Sequence, residues 1–337
     1  MDMEKDKNPV LEVNHLSICF DLANGQQAKV VEDISFSVYK EETVALVGES
    51  GSGKSITSLA VMGLLPIPPG RITSGSIRLN GQDLLQMKQK NMSSIRGNEI
   101  SMIFQEPMTS LDPVFKVSNQ MIEGIRRHQA VTKREGFAIA LRMLKEVGIA
   151  NAEKVMHEYP HQLSGGMRQR VMIAMAMANN PKLLIADEPT TALDVTVQAQ
   201  ILRLMLKMKR EHGSAILFIT HDMGVVAETA DRVMVMYAGQ IVEEAPVKTL
   251  FTQPKHPYTA ALLQTIPSLD SNVNRLPSIP GTVPSASQLP NGCRFAARCK
   301  HAMSICSEKQ PEIMQFEHDQ QVRCHLYTEK GEMVSVE

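Results

Sequence analysis

Three groups of residues in this 337-residue chain have types and spacings that could do chemistry. The first is Gly48-Glu49-Ser50-Gly51-Ser52-Gly53-Lys54-Ser55, which satisfies G-x-x-x-x-G-K-[ST] in full. Glycines at those spacings let successive backbone N–H groups turn inward around phosphates, and a helix beginning behind them adds its positive end. Lys54 is expected to reach the β- and γ-phosphates, and the Ser55 hydroxyl to ligate Mg²⁺. The second group is Asp187-Glu188, delivered by the apolar run Leu183-Leu184-Ile185-Ala186. A carboxylate pair at a strand's carboxyl end suits a metal and a water: Asp187 holding Mg²⁺, Glu188 orienting or deprotonating the attacking water. Two acids after a strand are by themselves an ordinary solvated turn, and it is the phosphate loop that gives the catalytic reading its weight. The third group is Cys293, Cys299, Cys306 and Cys324, spaced C-x5-C-x6-C-x17-C. Four thiols without a close C-x2-C pair fit a [4Fe–4S] cluster better than zinc, with zinc and free thiols as the alternatives. Arg294, Arg298 and Lys300 beside them could offset a thiolate cluster's negative charge.

These groups need elements to position them. Thr43 to Val47 is a short apolar run of the sort buried in the middle of a sheet, and it leads directly into the glycine-rich loop. A helix is expected from about Ser55 to Leu65, stopped by Pro66 and Pro68-Pro69-Gly70. Before the loop, Leu11 to Phe20 and Val30 to Val38 read as strands joined at Asn24-Gly25, and Ser76 to Leu79 reads as another strand before Asn80-Gly81. From Pro107 to about Asn180 the apolar spacing is helical, with Ile122, Ile125, Leu141, Leu144 and Val147 recurring three or four apart. Strand signals return at Leu183 to Ala186, Ala215 to Thr220 and Arg232 to Tyr237. Prolines 254, 257, 267, 277, 280, 284 and 290 then mark an irregular segment before the cysteine-bearing tail. The expected fold is α/β: a core carrying the phosphate loop, an antiparallel β subdomain, a helical insert over about 107–180 and a C-terminal extension over 256–337.

Composition narrows the function classes. Thirty-five Lys and Arg against 36 Asp and Glu leave a net charge of −1, so no electrostatic reason exists to expect nucleic acid. Hydrophobic residues at 43% exclude a disordered chain, and the longest apolar stretch, Val171 to Ala178, is too short for a membrane-spanning helix. The charged first eight residues contain no secretory core. A reducing cytosol is the expected compartment, which favours metal over disulfide for the clustered cysteines.

Leu163-Ser164-Gly165-Gly166-Met167-Arg168-Gln169-Arg170, about twenty residues before Asp187-Glu188, resembles the signature sequence of ATP-binding cassette ATPases. The other cassette elements follow in order: Gln105 at the glutamine loop, Ala192-Leu193-Asp194 at the dimer-contact loop and His221 at the switch histidine. Within that family the chain resembles the ATPase subunits of bacterial oligopeptide and dipeptide importers. The matching stretches are GESGSGKS, IFQEPMTSLDP, YPHQLSGGMRQR and ADEPTTALDVTVQAQ, with His256-Pro257-Tyr258-Thr259 and the cysteine tail. One departure is Glu41, where the family usually has glycine before the first core strand.

The resemblance implies a two-chain ATPase. Ser164, Gly165 and Gly166 would cap the γ-phosphate of ATP held by a partner's loop, Asp194 would contact that partner, and His221 would touch the γ-phosphate. Gln105 would join Ser55 and Asp187 around Mg²⁺ and report to the insert. Phe20 is a candidate for stacking on adenine, against the alternative of a core aromatic. The implied partners are a second, distinct ATPase subunit, two transmembrane permease subunits and an extracytoplasmic solute-binding protein, with this chain on the cytoplasmic face of the membrane. The resemblance also implies an iron–sulfur cluster in the tail. The competing readings are a soluble cassette ATPase of translation or DNA repair, and an importer of nickel chelates or another small solute. A phosphate-loop kinase or GTPase is incompatible with 163–169.

Overall fold

A computed structural model describes residues 8–23, 25–105, 110–190, 194–266 and 279–327. Asn24, residues 106–109 of the glutamine-loop stretch, Ala192-Leu193, Pro267 and Pro277 lie outside them. The chain forms two compact units interleaved in sequence: residues up to Leu11 with Ser37–Glu42 and Arg78–Phe218, and Glu12–Phe36 with Thr43–Ile77 and Ile219 onward.

The unit carrying the phosphate loop is organised around a sheet. β3 (Thr43–Val47) is buried at every position and pairs in parallel with β9 (Arg232–Tyr237), Val47 opposite Val235. β9 pairs antiparallel with β10 (Gln240–Pro246), and β10 with β12 (Gln320–Arg323), which closes a hairpin with β11 (Ile313–Phe316). The tail thus supplies the strands that cover β10, rather than only irregular chain. Sequence patterning missed β10 because its acids imply an outward face, yet Gln240, Glu243 and Glu244 are buried. Glu244 pairs with Arg232, while Glu243 accepts the N–H groups of Lys255 (2.8 Å) and His256 (2.9 Å) and the Gln320 amide (2.7 Å). A buried carboxylate is tolerable only with its lone pairs so occupied. β1 (Leu11–Asp21) lies between β2 (Gln27–Val38) and β4 (Gly70–Leu79) in a second sheet. Helix α1 (Lys54–Val61) stops earlier than expected, because Gly63 at φ +61° turns the chain before Pro66 is reached.

In the other unit, β6 (Ile100–Ile103) runs parallel to β7 (Leu183–Asp187), with Ile103 opposite Ala186. Polar α2 (Gln89–Ile95) and short β6 carry too little periodicity to be read from sequence. The helical stretch resolves into α3 (Val117–His128), α4 (Lys133–Glu146), the single turn α5 (Ala152–Val155) and α6 (Gly165–Met177). Thr132 and Glu135 form a capping box at the start of α4. α7 (Val195–His212), an 18-residue helix, follows the carboxylate strand and ends at Gly213, φ +65°.

Candidate functional site

The phosphate loop leaves β3 and enters α1, as its chemistry requires. Two of its glycines are needed for space as well as conformation. A Cβ on Gly48 (φ +154°) would stand 2.1 Å from the Met236 carbonyl oxygen, and one on Gly53 (φ +103°) 2.9 Å from that of Val30. Gly51 (φ +81°) faces open space. Lys54 is buried, and its ammonium donates to the carbonyls of Gly48 (2.7 Å) and Glu49 (3.0 Å) and to Ser52 Oγ (3.3 Å). A cation held by oxygens of a glycine loop at a helix N-terminus fits a phosphate chain, whose oxygens can replace those acceptors. The Ser52 carbonyl accepts the Gly239 N–H (2.8 Å), tying the loop to the end of β9. Ser50 is exposed between Gly51 and half-buried Glu49, and Ser55 stands in the first turn of α1.

In the other unit, β7 delivers Asp187, 4% exposed, and Glu188 at φ +47°. A non-glycine residue in the left-handed region costs of order 1–3 kcal/mol and persists where the surroundings dictate it. Gln105, two residues beyond β6, donates from Nε2 to Glu188 Oε2 at 3.0 Å. The structure therefore brings together Gln105 and Glu188, 83 positions apart, just beyond the carboxyl ends of neighbouring parallel strands.

Ser164 caps α6, its Oγ accepting the Met167 N–H at 3.3 Å. Ser164 and Gly165 are exposed, and the first turn holds no acid, leaving its positive end uncompensated. Gly166 needs its small size: a Cβ would meet Val197 Cγ1 at 3.1 Å. Asp194 caps α7, accepting the Val197 N–H at 2.9 Å. His221 is exposed, directly before the Asp222 cap of helix α8 (Met223–Thr229). Phe20 is half-buried in β1, its ring end facing Gly70, where a Cβ would stand 3.2 Å away.

The tail departs from expectation. All four cysteines are free thiols, and among the described residues no group of three or more His, Cys, Asp or Glu is arranged to hold a metal ion. The described residues therefore do not assemble the zinc site or the [4Fe–4S] cluster expected at Cys293, Cys299, Cys306 and Cys324 as a ready ligand group. Burial pushes Cys293 up to about 11 and Cys324 up to about 12, and raises Cys299. Two of the three neighbouring cations are also engaged elsewhere: Arg294 pairs with Glu32, and Arg298 forks onto Glu49 at 2.5 and 3.0 Å. Sequence reasoning had no reason to link Arg298 or Tyr258 to the phosphate loop, because each meets Glu49 across more than two hundred residues.

Comparison with known proteins agrees with this geometry. Residues 31–191 match the ABC transporter family, and residues 242–306 match the oligopeptide/dipeptide transporter C-terminal region. The chain is 52% identical over 322 residues to the oligopeptide transport ATP-binding protein AppD of Bacillus subtilis, covering 96% of this chain and 98% of that one. It is 49% identical to OppD of the same organism, covering 94% of this chain and 88% of that one. Among solved structures, the dimeric structure of MJ0796, a bacterial ABC transporter cassette, superposes with TM-score 0.62 at 27% identity, covering 70% of this chain and 98% of that one. CbiO1 of Clostridium perfringens, part of the transporter complex cbiONQ, gives 0.63 at 27% identity, over 73% and 92%. The protein is an ABC-family ATPase. More narrowly, it belongs to the branch of oligopeptide transport ATP-binding proteins.

Proposed function

We propose that this protein is the ATP-hydrolysing subunit of an importer of di- or oligopeptides. The observation that carries this reading is the peptide-transporter C-terminal region on the same chain as an intact phosphate loop and signature helix. A soluble cassette ATPase of translation or repair gives no account of that region.

In this reading the backbone N–H groups of 50–55 and Lys54 hold the phosphates, and Ser55, Asp187 and Gln105 hold magnesium. A magnesium ion held by those residues would supply positive charge to offset that of the phosphate oxygens. Glu188, kept in place by Gln105, orients the attacking water and takes its proton. His221 supports the γ-phosphate, and Phe20 stacks on the base. Ser164, Gly165 and Gly166 serve a nucleotide bound to a second, distinct ATPase subunit, with Asp194 at the contact. Two permease subunits carry the peptide delivered by an extracytoplasmic binding protein, and this chain works at the cytoplasmic face. No helix among the described residues is long and apolar enough to cross a membrane.

The finer proposal for the tail is an iron–sulfur cluster on the four cysteines. Its support is their spacing and the backbone N–H groups donated to sulfur, from His301 to Cys299 (3.3 Å) and from Met303 to Cys306 (3.4 Å). Iron and sulfide analysis after anaerobic purification tests it; iron-free protein of full activity rejects it.

The test of the function is uptake of a labelled oligopeptide by cells or vesicles holding the complete transporter. Uptake should require ATP and disappear with Glu188→Gln in this subunit. Uptake that persists in that variant, or a transporter that takes only nickel chelates, would overturn the reading.

A further inference from the structure

Glu49 is an anomaly: a carboxylate inside a loop built to receive a polyanion. Its side chain is not loose. Arg298 grips both oxygens, Nη1 on Oε2 at 2.5 Å and Nη2 on Oε1 at 3.0 Å, with the arginine side chain 6% exposed. The rest of the guanidinium is fixed by the tail's own backbone, Nε donating to the Pro280 carbonyl at 2.8 Å and Nη2 to that of Ile279 at 3.3 Å. Its carbon stands 5.7 Å over the Tyr237 ring. A second anchor lies beside it: the Glu49 N–H donates to the Tyr258 hydroxyl at 2.9 Å. Tyr258 is fully buried and packs on Tyr237 (4.6 Å between ring centroids) and Phe295 (5.3 Å). Three of the chain's few aromatics are thus spent on holding two groups against one loop residue.

We propose that Arg298 and Tyr258 are positioning residues for the phosphate loop: Arg298 cancels the charge of Glu49, Tyr258 anchors its amide, and the tail thereby sets the loop's affinity for a triphosphate. The inference rests on the reading that ATP binds at 48–55. A forked arginine–carboxylate pair in a partly dry site is stronger and more directional than an exposed ion pair. Losing only the arginine leaves an uncompensated negative charge on the phosphate loop.

The test is titration calorimetry of the full chain with ATP, ADP and adenosine. Arg298→Gln should weaken ATP on the order of tenfold, ADP less, and adenosine hardly at all, since one ionic hydrogen-bonded contact carries about that factor. Adding Glu49→Gln to Arg298→Gln should restore ATP binding, which repair of a merely structural defect would not do. Native affinity in folded Arg298→Gln, or an equal loss for all three ligands without restoration, would overturn the proposal. Should Arg298→Gln fail to fold, Glu49→Gln alone decides. With the Arg298 charge no longer offset, the ratio of ATP to adenosine affinity should rise several-fold, and an unchanged ratio would overturn it. Native protein that binds no ATP would overturn the nucleotide reading and this inference with it, whereas native binding with unaltered variants overturns this inference alone.

Discussion

Glu188 is held in the left-handed region at φ +47°, with Gln105 on its carboxylate. Glu188→Gln keeps the shape and the backbone but loses the proposed base, so ATP binding should survive while turnover falls at least about a hundredfold. Gln105→Ala should fall less, since it removes the group that orients the base and leaves the base itself. Steady-state hydrolysis set against nucleotide binding separates the two; full turnover in Glu188→Gln would remove Glu188 from the role. Glu41 gives a second residue-scale expectation. It lies exposed at φ +58°, where the family usually has glycine. Glu41→Gly should therefore stabilise the protein by up to about 1 kcal/mol, read as a higher midpoint in denaturant. The departure was legible in the sequence, and its backbone cost was not. Likewise the phosphate-loop residues could be read singly, because each motif position has its own chemistry. The Arg298–Glu49 fork could not, since no local pattern records a pairing of charges 249 positions apart.

At the scale of elements, β3, β8 (Ala215–Thr220) and β9 were legible because β3 and β8 are unbroken buried runs and β9 is one after Arg232. β10 was hidden by its acids and α7 by a polar sequence whose apolar side becomes evident only with Asp194 as its cap. The tail's helix α10 (Pro257–Gln264) begins at His256, whose Nδ1 accepts the Tyr258 N–H at 3.0 Å. Burial pulls His256 down to about 3 from an ordinary value near 6.5, so the native state refuses a proton that the unfolded chain accepts. Stability from this group is complete above pH 6.5 and declines toward pH 3, by up to about 1.4 kcal/mol per unit. Glu243, raised by burial, acts in the opposite sense: it favours the folded state at low pH and loses that contribution as pH rises. His256→Asn keeps a capping acceptor without the titration. Its melting temperature should fall less than the native protein's between pH 6.5 and 5, and parallel curves would refute the assignment.

For the whole molecule, the balanced charge and 43% apolar content bounded the class without specifying a partner. The proposed partner rests on other features. Ser164 and Gly165 are exposed at the start of a 13-residue helix with no acid in its first turn, a combination able to receive an anion. If that end serves a γ-phosphate on another subunit, hydrolysis by this chain alone should be slow and rise with the square of its concentration. Adding the cognate ATPase subunit and permeases should lift it to the transporter's rate. Gly165→Asp places a carboxylate where the phosphate must approach, and like charges at a few ångströms are strongly unfavourable in a closed, water-poor interface. That variant should bind ATP at its own phosphate loop as the native chain does, yet fail to support hydrolysis at the partner's site. Placing it in the same chain as Glu188→Gln silences the site on this chain's own phosphate loop and leaves only the partner's site to measure, which isolates the contribution of this helix. Native turnover at the partner's site in the presence of Gly165→Asp would show that the signature helix does not reach across to a second chain.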